Sequence, residues 1–129
     1  MVLETLNLLL KKDDGIVGTY YIYCKSNNML IGSITYRGYH FDSKLGDIGF
    51  FIHQMYTNKG YGKEALFRLI ELLNDNGIDD FWITCEFNNE VSKHIINKYL
   101  DIEKVWELDD VLKFQCSVNL DKTFTTKKK

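Results

Sequence analysis

Residues 58–66 read Asn58-Lys59-Gly60-Tyr61-Gly62-Lys63-Glu64-Ala65-Leu66. An apolar run, Ile48 to Ile52, precedes them, and a strongly amphipathic segment follows. Strand, glycine turn and helix in this order form a phosphate-binding arrangement. The first N–H groups of a helix have no partner within the helix and carry partial positive charge. Glycines let a pyrophosphate come close to those groups. The plain alternative is a glycine turn that only starts a helix.

Spacing separates three kinds of phosphate loop. An ATP- or GTP-type loop requires G-x-x-x-x-G-K-[ST]. Here Thr57 stands at the first glycine and Glu64 at the magnesium-binding hydroxyl, so that pattern fails. A dinucleotide fingerprint, G-x-G-x-x-G/A, is met by Gly60, Gly62 and Ala65. That fingerprint follows its strand tightly, however, and His53 to Lys59 intervene here. The upstream chain also reads as strands only, without a βαβ repeat. The third kind is the acyl-CoA loop of the Gcn5-related N-acetyltransferases, Q/R-x-x-G-x-G/A. Thr57-Asn58-Lys59-Gly60-Tyr61-Gly62 resembles it, with Thr57 in place of the usual Gln or Arg. The wider string, Asp47-Ile48-Gly49-Phe50 through Leu66, is similar to the ribosomal-protein (RimJ/RimL-like) branch of that superfamily.

A second segment carries the same resemblance. Phe81 to Phe87 reads as a strand, and Asn88-Asn89-Glu90-Val91-Ser92-Lys93-His94-Ile95-Ile96-Asn97-Lys98-Tyr99 follows. It resembles the family's N-x-x-S helix start, with Asn89 and Ser92 at the matching places. The resemblance implies two strands that splay at their ends, with the pantetheine arm of the cosubstrate in the gap. Asn89 would hydrogen-bond the arm; it also suits an ordinary N-cap. The family usually closes this helix with Gly-Phe, whereas this chain has Tyr99-Leu100-Asp101.

Leu3-Glu4-Thr5-Leu6-Asn7-Leu8 resembles the opening strand of the same branch, so the likeness spans roughly residues 2–100. Members normally carry one or two helices between their first two strands, as part of the acceptor wall. The span from Leu10 to Tyr20 is too short for two helices and their connections. The acceptor end is therefore expected to be open, unless a homodimer covers it.

The 129 residues suit one domain, expected over 1–120, with 121–129 as a polar, basic and flexible tail. An apolar content of 45% is enough for a real core. A net charge of −2 gives no general attraction to nucleic acid or anionic membrane, and neither is expected as a partner. No run approaches the length of a membrane span. The opening Met-Val-Leu-Glu lacks the basic region of a signal peptide, so a cytoplasmic protein is expected. Cys24, Cys85 and Cys116 are scattered through apolar runs, and so are the three histidines. Neither pattern fits a disulfide framework or a metal site, and no metal is expected.

The remaining chain reads as strands with two helices. Leu3 to Leu10 is a strand, with a helix as the alternative, and Gly18 to Cys24 and Met29 to Tyr36 form an antiparallel pair. Gly38 to Leu45 is a loop and Gly46 to Ile52 a central strand. A helix runs from about Gly62 to Asn74 and is stopped by Asn76-Gly77. Ser92 to Tyr99 is a short helix. Glu103 to Leu108 and Val111 to Leu120 form a hairpin. The order implies an α+β domain. The resemblance makes it a mixed, mostly antiparallel sheet with a central splayed parallel pair and two packed helices, an acyl-CoA N-acyltransferase-like fold.

By resemblance, the reaction is transfer of acetyl from acetyl-CoA to an amine, either a peptide N-terminus or a small amine, by direct attack. The CoA side would use Phe51, Ile52, Thr57, Asn58, Lys59, Gly60, Tyr61, Gly62, Lys63, Asn89 and Ser92. Backbone N–H groups near Phe51 and Ile52 would polarise the thioester carbonyl. The amine must lose a proton, and Asp47, His53 or Glu86 could take it, or water alone. The family's tyrosine acid falls at Ile96, which cannot donate, so Ser92 is the candidate donor to the departing thiolate. Thr57, Ile96 and the missing helices also allow a non-catalytic or degenerate acyl-CoA-binding domain.

Overall fold

The computed structural model describes residues 1–38, 45–57, 59–86 and 90–118. Its elements are β1 (Val2–Glu4), β2 (Leu8–Lys11), β3 (Gly18–Cys24), β4 (Leu30–Arg37), β5 (Gly46–Ile52), α1 (Tyr61–Asp75), β6 (Asp80–Glu86), α2 (Glu90–Tyr99), β7 (Leu100–Leu108) and β8 (Val111–Val118). The strands form one sheet in the order β1-β2-β3-β4-β5-β6-β8-β7. Only β5 and β6 run parallel; the other neighbours are antiparallel. This is the expected mixed sheet, with the parallel pair at its centre.

Both helices pack on the same face. The apolar side of α1, comprising Ala65, Leu66, Leu69, Ile70 and Leu73, is buried. It shares one core with Ile34, Ile48, Phe81, Ile83, Phe114 and, from α2, Ile95 and Ile96. Full burial of such aliphatic side chains contributes about 2 kcal/mol each. At the end of α1, Ile78 N donates to Leu73 O (2.8 Å) and Gly77 N to Asn74 O (3.0 Å). Gly77 has φ 80°, the left-handed conformation that this closing motif requires.

Pleating sends the alternate residues to the other face. Thr35, Arg37, Asp47, Gly49, Phe51 and Thr84 lie there, as register partners or at matching alternation. Among the described residues no helix covers that face. The reason is the short span noted above: only Lys12–Val17 connect β2 to β3.

Several boundaries differ from the sequence reading. Leu3 to Leu10 is not one strand but two, β1 and β2, folded back on each other with Leu3 opposite Leu10. The turn exposes Leu6 at 85%. It is closed locally, with Thr5 N donating to Leu8 O (3.0 Å) and Leu8 N to Thr5 Oγ1 (2.8 Å), and is braced from a distance. The Glu64 carboxylate, in the first turn of α1, accepts from Thr5 Oγ1, from Asn7 N (2.8 Å) and from Asn7 Nδ2 (2.9 Å). A short 3-10 turn at Gln54–Tyr56 was not read from the sequence, and β7 begins at Leu100 rather than Glu103. Residues 39–44 of the expected loop and the tail 121–129 lie outside the described residues.

Candidate functional site

The parallel pairing of β5 with β6 runs from Gly46↔Phe81 to Gly49↔Thr84 and stops. β5 continues to Ile52, still paired to β4, and β6 continues to Glu86. The two strands therefore part beyond Gly49 and Thr84. Which backbone groups face the gap follows from the two-residue alternation. His53 N donates to Ile31 O (2.7 Å), on the β4 side. Phe51 O also faces β4, only 2.2 Å from where a side chain on Gly32 would start. Phe51 and His53 thus turn their backbone toward β4, and Phe50 and Ile52 turn theirs toward the gap. The expected carbonyl-polarising N–H is available from Ile52 but not from Phe51.

The gap continues into a cleft of about 510 Å³. Its walls include Phe50, Phe51, Ile52, Thr84, Cys85, Ser92 and Val111, and it reaches Thr57 and Gly60 to Lys63. Gly60 is the residue before α1, at φ 78°, and no side chain caps the helix. A Cβ on Gly60 would meet nothing within 4 Å, and one on Gly62 would touch Phe50 and Ile52 at ordinary distance. Among the described residues, no side chain therefore stands between the cleft and the first-turn N–H groups of α1. Lys63 adds a cation there, with Nζ 5.4 Å from the Tyr99 ring centroid. Burial pushes the Tyr99 phenol up, but Lys98 and Lys63 together hold it below its ordinary value. The Tyr61 phenol is raised by partial burial, with the Cys24 thiol beside it.

The candidate proton-transfer residues fare differently. Ser92 is buried and lines the cleft. Asp47 is 1% exposed, and both its oxygens are engaged: Arg37 Nη1 at 2.7 Å and Thr84 Oγ1 at 3.0 Å. His53 is exposed and is not part of the cleft wall; its Nδ1 accepts from Met55 N (3.2 Å). Ile96 is fully buried in the core. Asn58, Asn89 and the side chain of Glu86 lie outside the described residues. Among the described residues no carboxylate or histidine lines the cleft.

Arg37, Tyr56, Thr84, Cys85 and Val111 line the cleft without having been singled out from the sequence. Thr84 and Cys85 had a readable signal, since they end the strand that must splay. Arg37 had none, because its approach depends on the β4–β5 register that sets it opposite Asp47. Among the described residues no group of three or more His, Cys, Asp or Glu is placed to hold a metal, and no helix is long and apolar enough to cross a membrane.

The fold is shared with solved acetyltransferase structures. One from Bacillus anthracis, of the GNAT family, superposes with a TM-score of 0.72 at 16% identity, over 94% of this chain and 99% of its own. A ribosomal-protein-S5-alanine acetyltransferase from Vibrio fischeri gives 0.65 at 16% identity, over 81% and 62%. RimL, a ribosomal L7/L12 alpha-N-protein acetyltransferase in complex with coenzyme A, gives 0.63 at 18% identity, over 78% and 60%. No curated protein matches the chain by sequence. The family model for the acetyltransferase (GNAT) domain matches residues 4–99, the stretch that builds the parting strands and the helix-start loop, and the chain belongs to that acetyltransferase family.

Proposed function

We propose that the domain transfers the acetyl group of acetyl-CoA to an amine, a peptide N-terminus or a small amine, by direct attack. The observation that carries this reading is one continuous cleft. It joins the uncapped start of α1 to the gap between β5 and β6. A pyrophosphate suits the first, and an extended thioester arm the second.

In this reading the backbone from Thr57 to Lys63, Asn58 and Lys59 included, holds the pyrophosphate. Asn89 contacts the arm. Ile52 N–H, facing the gap, stabilises the oxyanion as the amine attacks. Ser92 protonates the departing thiolate. Asp47 does not act as the base: with Arg37 and Thr84 on its two oxygens, it holds Arg37 in place. His53 lies off the cleft wall, so water relays the proton from the attacking amine to solvent.

A second reading has its own support. Ile96 occupies the place of the family's proton donor and is buried in the core. That favours a domain that binds acyl-CoA without turning it over. Release of free CoA from acetyl-CoA with spermine-like amines, aminoglycosides and N-terminal peptides separates the two. Amine-dependent release supports transfer. Calorimetric binding of acetyl-CoA with no release from any amine would overturn it in favour of the binding domain.

An open acceptor side also bears on the substrate. It holds a small amine loosely, so orientation contributes less to its rate. Peptides that bring their own contacts should be the better acceptors. Efficient, saturable turnover of a small amine by a monomer would contradict this.

A further inference from the structure

The bare face of the sheet holds a built cation at the edge of the cleft. Arg37 ends β4, lies opposite Asp47 in register and lines the cleft. Its Nη1 is 2.7 Å from Asp47 Oδ2. Asp47 in turn accepts from Thr84 Oγ1 across the β5–β6 pair, at 3.0 Å. A carboxylate that is 1% exposed thus grips one edge of a side chain that is 63% exposed. Arginine has five N–H donors in a rigid fork, and among the described residues Asp47 is the one partner of this fork. Among the described residues nothing else engages the fork, whose geometry suits a carboxylate.

Its position decides whose anion. The helix start and Lys63 belong to the helix-covered face, where the pyrophosphate is placed. Arg37 belongs to the opposite face, from which an acceptor would approach the gap. With no carboxylate or histidine on the described cleft wall, nothing there repels an anionic acceptor or offers a cationic one a partner.

We propose that Arg37, positioned by Asp47 and Thr84, selects acceptor peptides that carry an acidic side chain shortly after their N-terminal amine. This rests on the acetyl-transfer reading above and narrows its substrate class. Spacing bounds the acidic position. From Asp47 to Phe50–Ile52 is three to five residues of strand, roughly 10–16 Å at about 3.3 Å per residue. An extended peptide spans about the same per residue. The acidic side chain therefore falls about three to five residues beyond the amine-bearing residue, at roughly the fourth to sixth position of the acceptor.

The test uses two N-terminal peptides that differ only by Glu or Gln at the fifth position. Steady-state kinetics are measured with wild type, Arg37→Gln and Arg37→Lys. Wild type should show a KM at least tenfold lower for the Glu peptide at similar kcat, as for an interaction made equally in ground and transition states. Arg37→Gln should erase that preference by raising KM for the Glu peptide alone, and Arg37→Lys should keep part of it. Arg37→Gln leaves Asp47 buried without its cation, so the double variant Arg37→Gln/Asp47→Asn serves if the single one fails to fold. Equal kinetics of the two peptides with wild type would overturn the assignment of Arg37 and leave acetyl transfer standing. Equal losses for both peptides in a folded Arg37→Gln would reduce Arg37 to a structural partner of Asp47. Acetyl-CoA binding with no acetylation of any amine would instead overturn the underlying reading.

Discussion

Gly32 is where the shape of the gap can be tested without any ligand. It stands opposite Ile52 at the end of the β4–β5 pairing. A Cβ built there would lie 2.2 Å from Phe51 O, 3.1 Å from Ile52 Cα and 3.2 Å from Ile52 Cδ1. Two of these atoms are backbone and cannot rotate away. To reach even 3.0 Å from the oxygen, the strands must separate by at least 0.8 Å at this point. Overpacking of this kind costs about 1–3 kcal/mol. For a chain of this length that is a fall in Tm on the order of 3–12 °C for Gly32→Ala. The matched control is Gly49→Ala. Gly49 lies in the neighbouring strand, lines the same cleft, and a Cβ there would meet nothing within 4 Å. Its Tm should stay within about 1–2 °C of wild type, as for a substitution that touches no core. Differential scanning calorimetry reads both. If Gly32→Ala unfolds at the wild-type temperature, Phe51 O does not face β4. The assignment of Ile52 N–H to the gap would then fail with it.

Four further outcomes follow from the geometry. Gly60→Val forces a branched side chain to φ 78° and places it in the open space before α1, so CoA affinity should fall at least tenfold, about 1.4 kcal/mol; unchanged calorimetric affinity in a folded variant would refute the pyrophosphate site. Glu64→Ala removes the acceptor for Thr5 Oγ1, Asn7 N and Asn7 Nδ2 and should destabilise the domain by about 2 kcal/mol in urea, whereas Glu64→Gln, which keeps one acceptor oxygen, should lose less. Burial pushes the Tyr20 phenol up to about 12 from 10.0, so its share of stability is full below pH 10 and is lost as pH rises to about 12, where the unfolded chain ionises first; Tyr20→Phe should flatten that alkaline limb in a pH series of urea melts. Cys85 lines the cleft and Cys24 does not, so acetyl-CoA should slow alkylation of Cys85 and leave that of Cys24 unchanged, as mapped by mass spectrometry.

What the sequence disclosed follows the range of the interactions involved. The apolar stripe from Ala65 to Leu73 needs only helical periodicity to be read, and that helix begins and ends within one residue of expectation. Gly18–Cys24 and Gly46–Ile52 are bounded by their own turn residues and agree at both ends. The break in the N-terminal strand carries only a weak local signal, Thr5 and Asn7: the Thr5–Leu8 hydrogen bonds close the turn, and Glu64, dozens of residues away, braces it. The start of β7 was missed because Leu100-Asp101-Ile102 carries no strand signal stronger than the helix it follows. Its pairing with Val118 to Cys116 supplies the reason instead.

The two sides of the site were unequally legible, and the fold gives the cause. The proposed donor side is made by residues close in sequence: a strand end, a glycine pair and a helix start. The short Lys12–Val17 connection leaves these elements in place, with Ile16 packed against the same core as α1 and α2. The proposed acceptor side depends on which residues the sheet register brings together on the uncovered face. Arg37, Asp47 and Thr84 come from three strands, and only the pairings Arg37↔Asp47 and Gly49↔Thr84 make them neighbours. Sequence reading therefore names Asp47 only as one candidate base beside His53, Glu86 and water, since an aspartate beside a central strand looks available. The register adds Arg37 at 2.7 Å and Thr84 at 3.0 Å, so both oxygens of this carboxylate are engaged. The chemistry left on the open face is that of the guanidinium it holds.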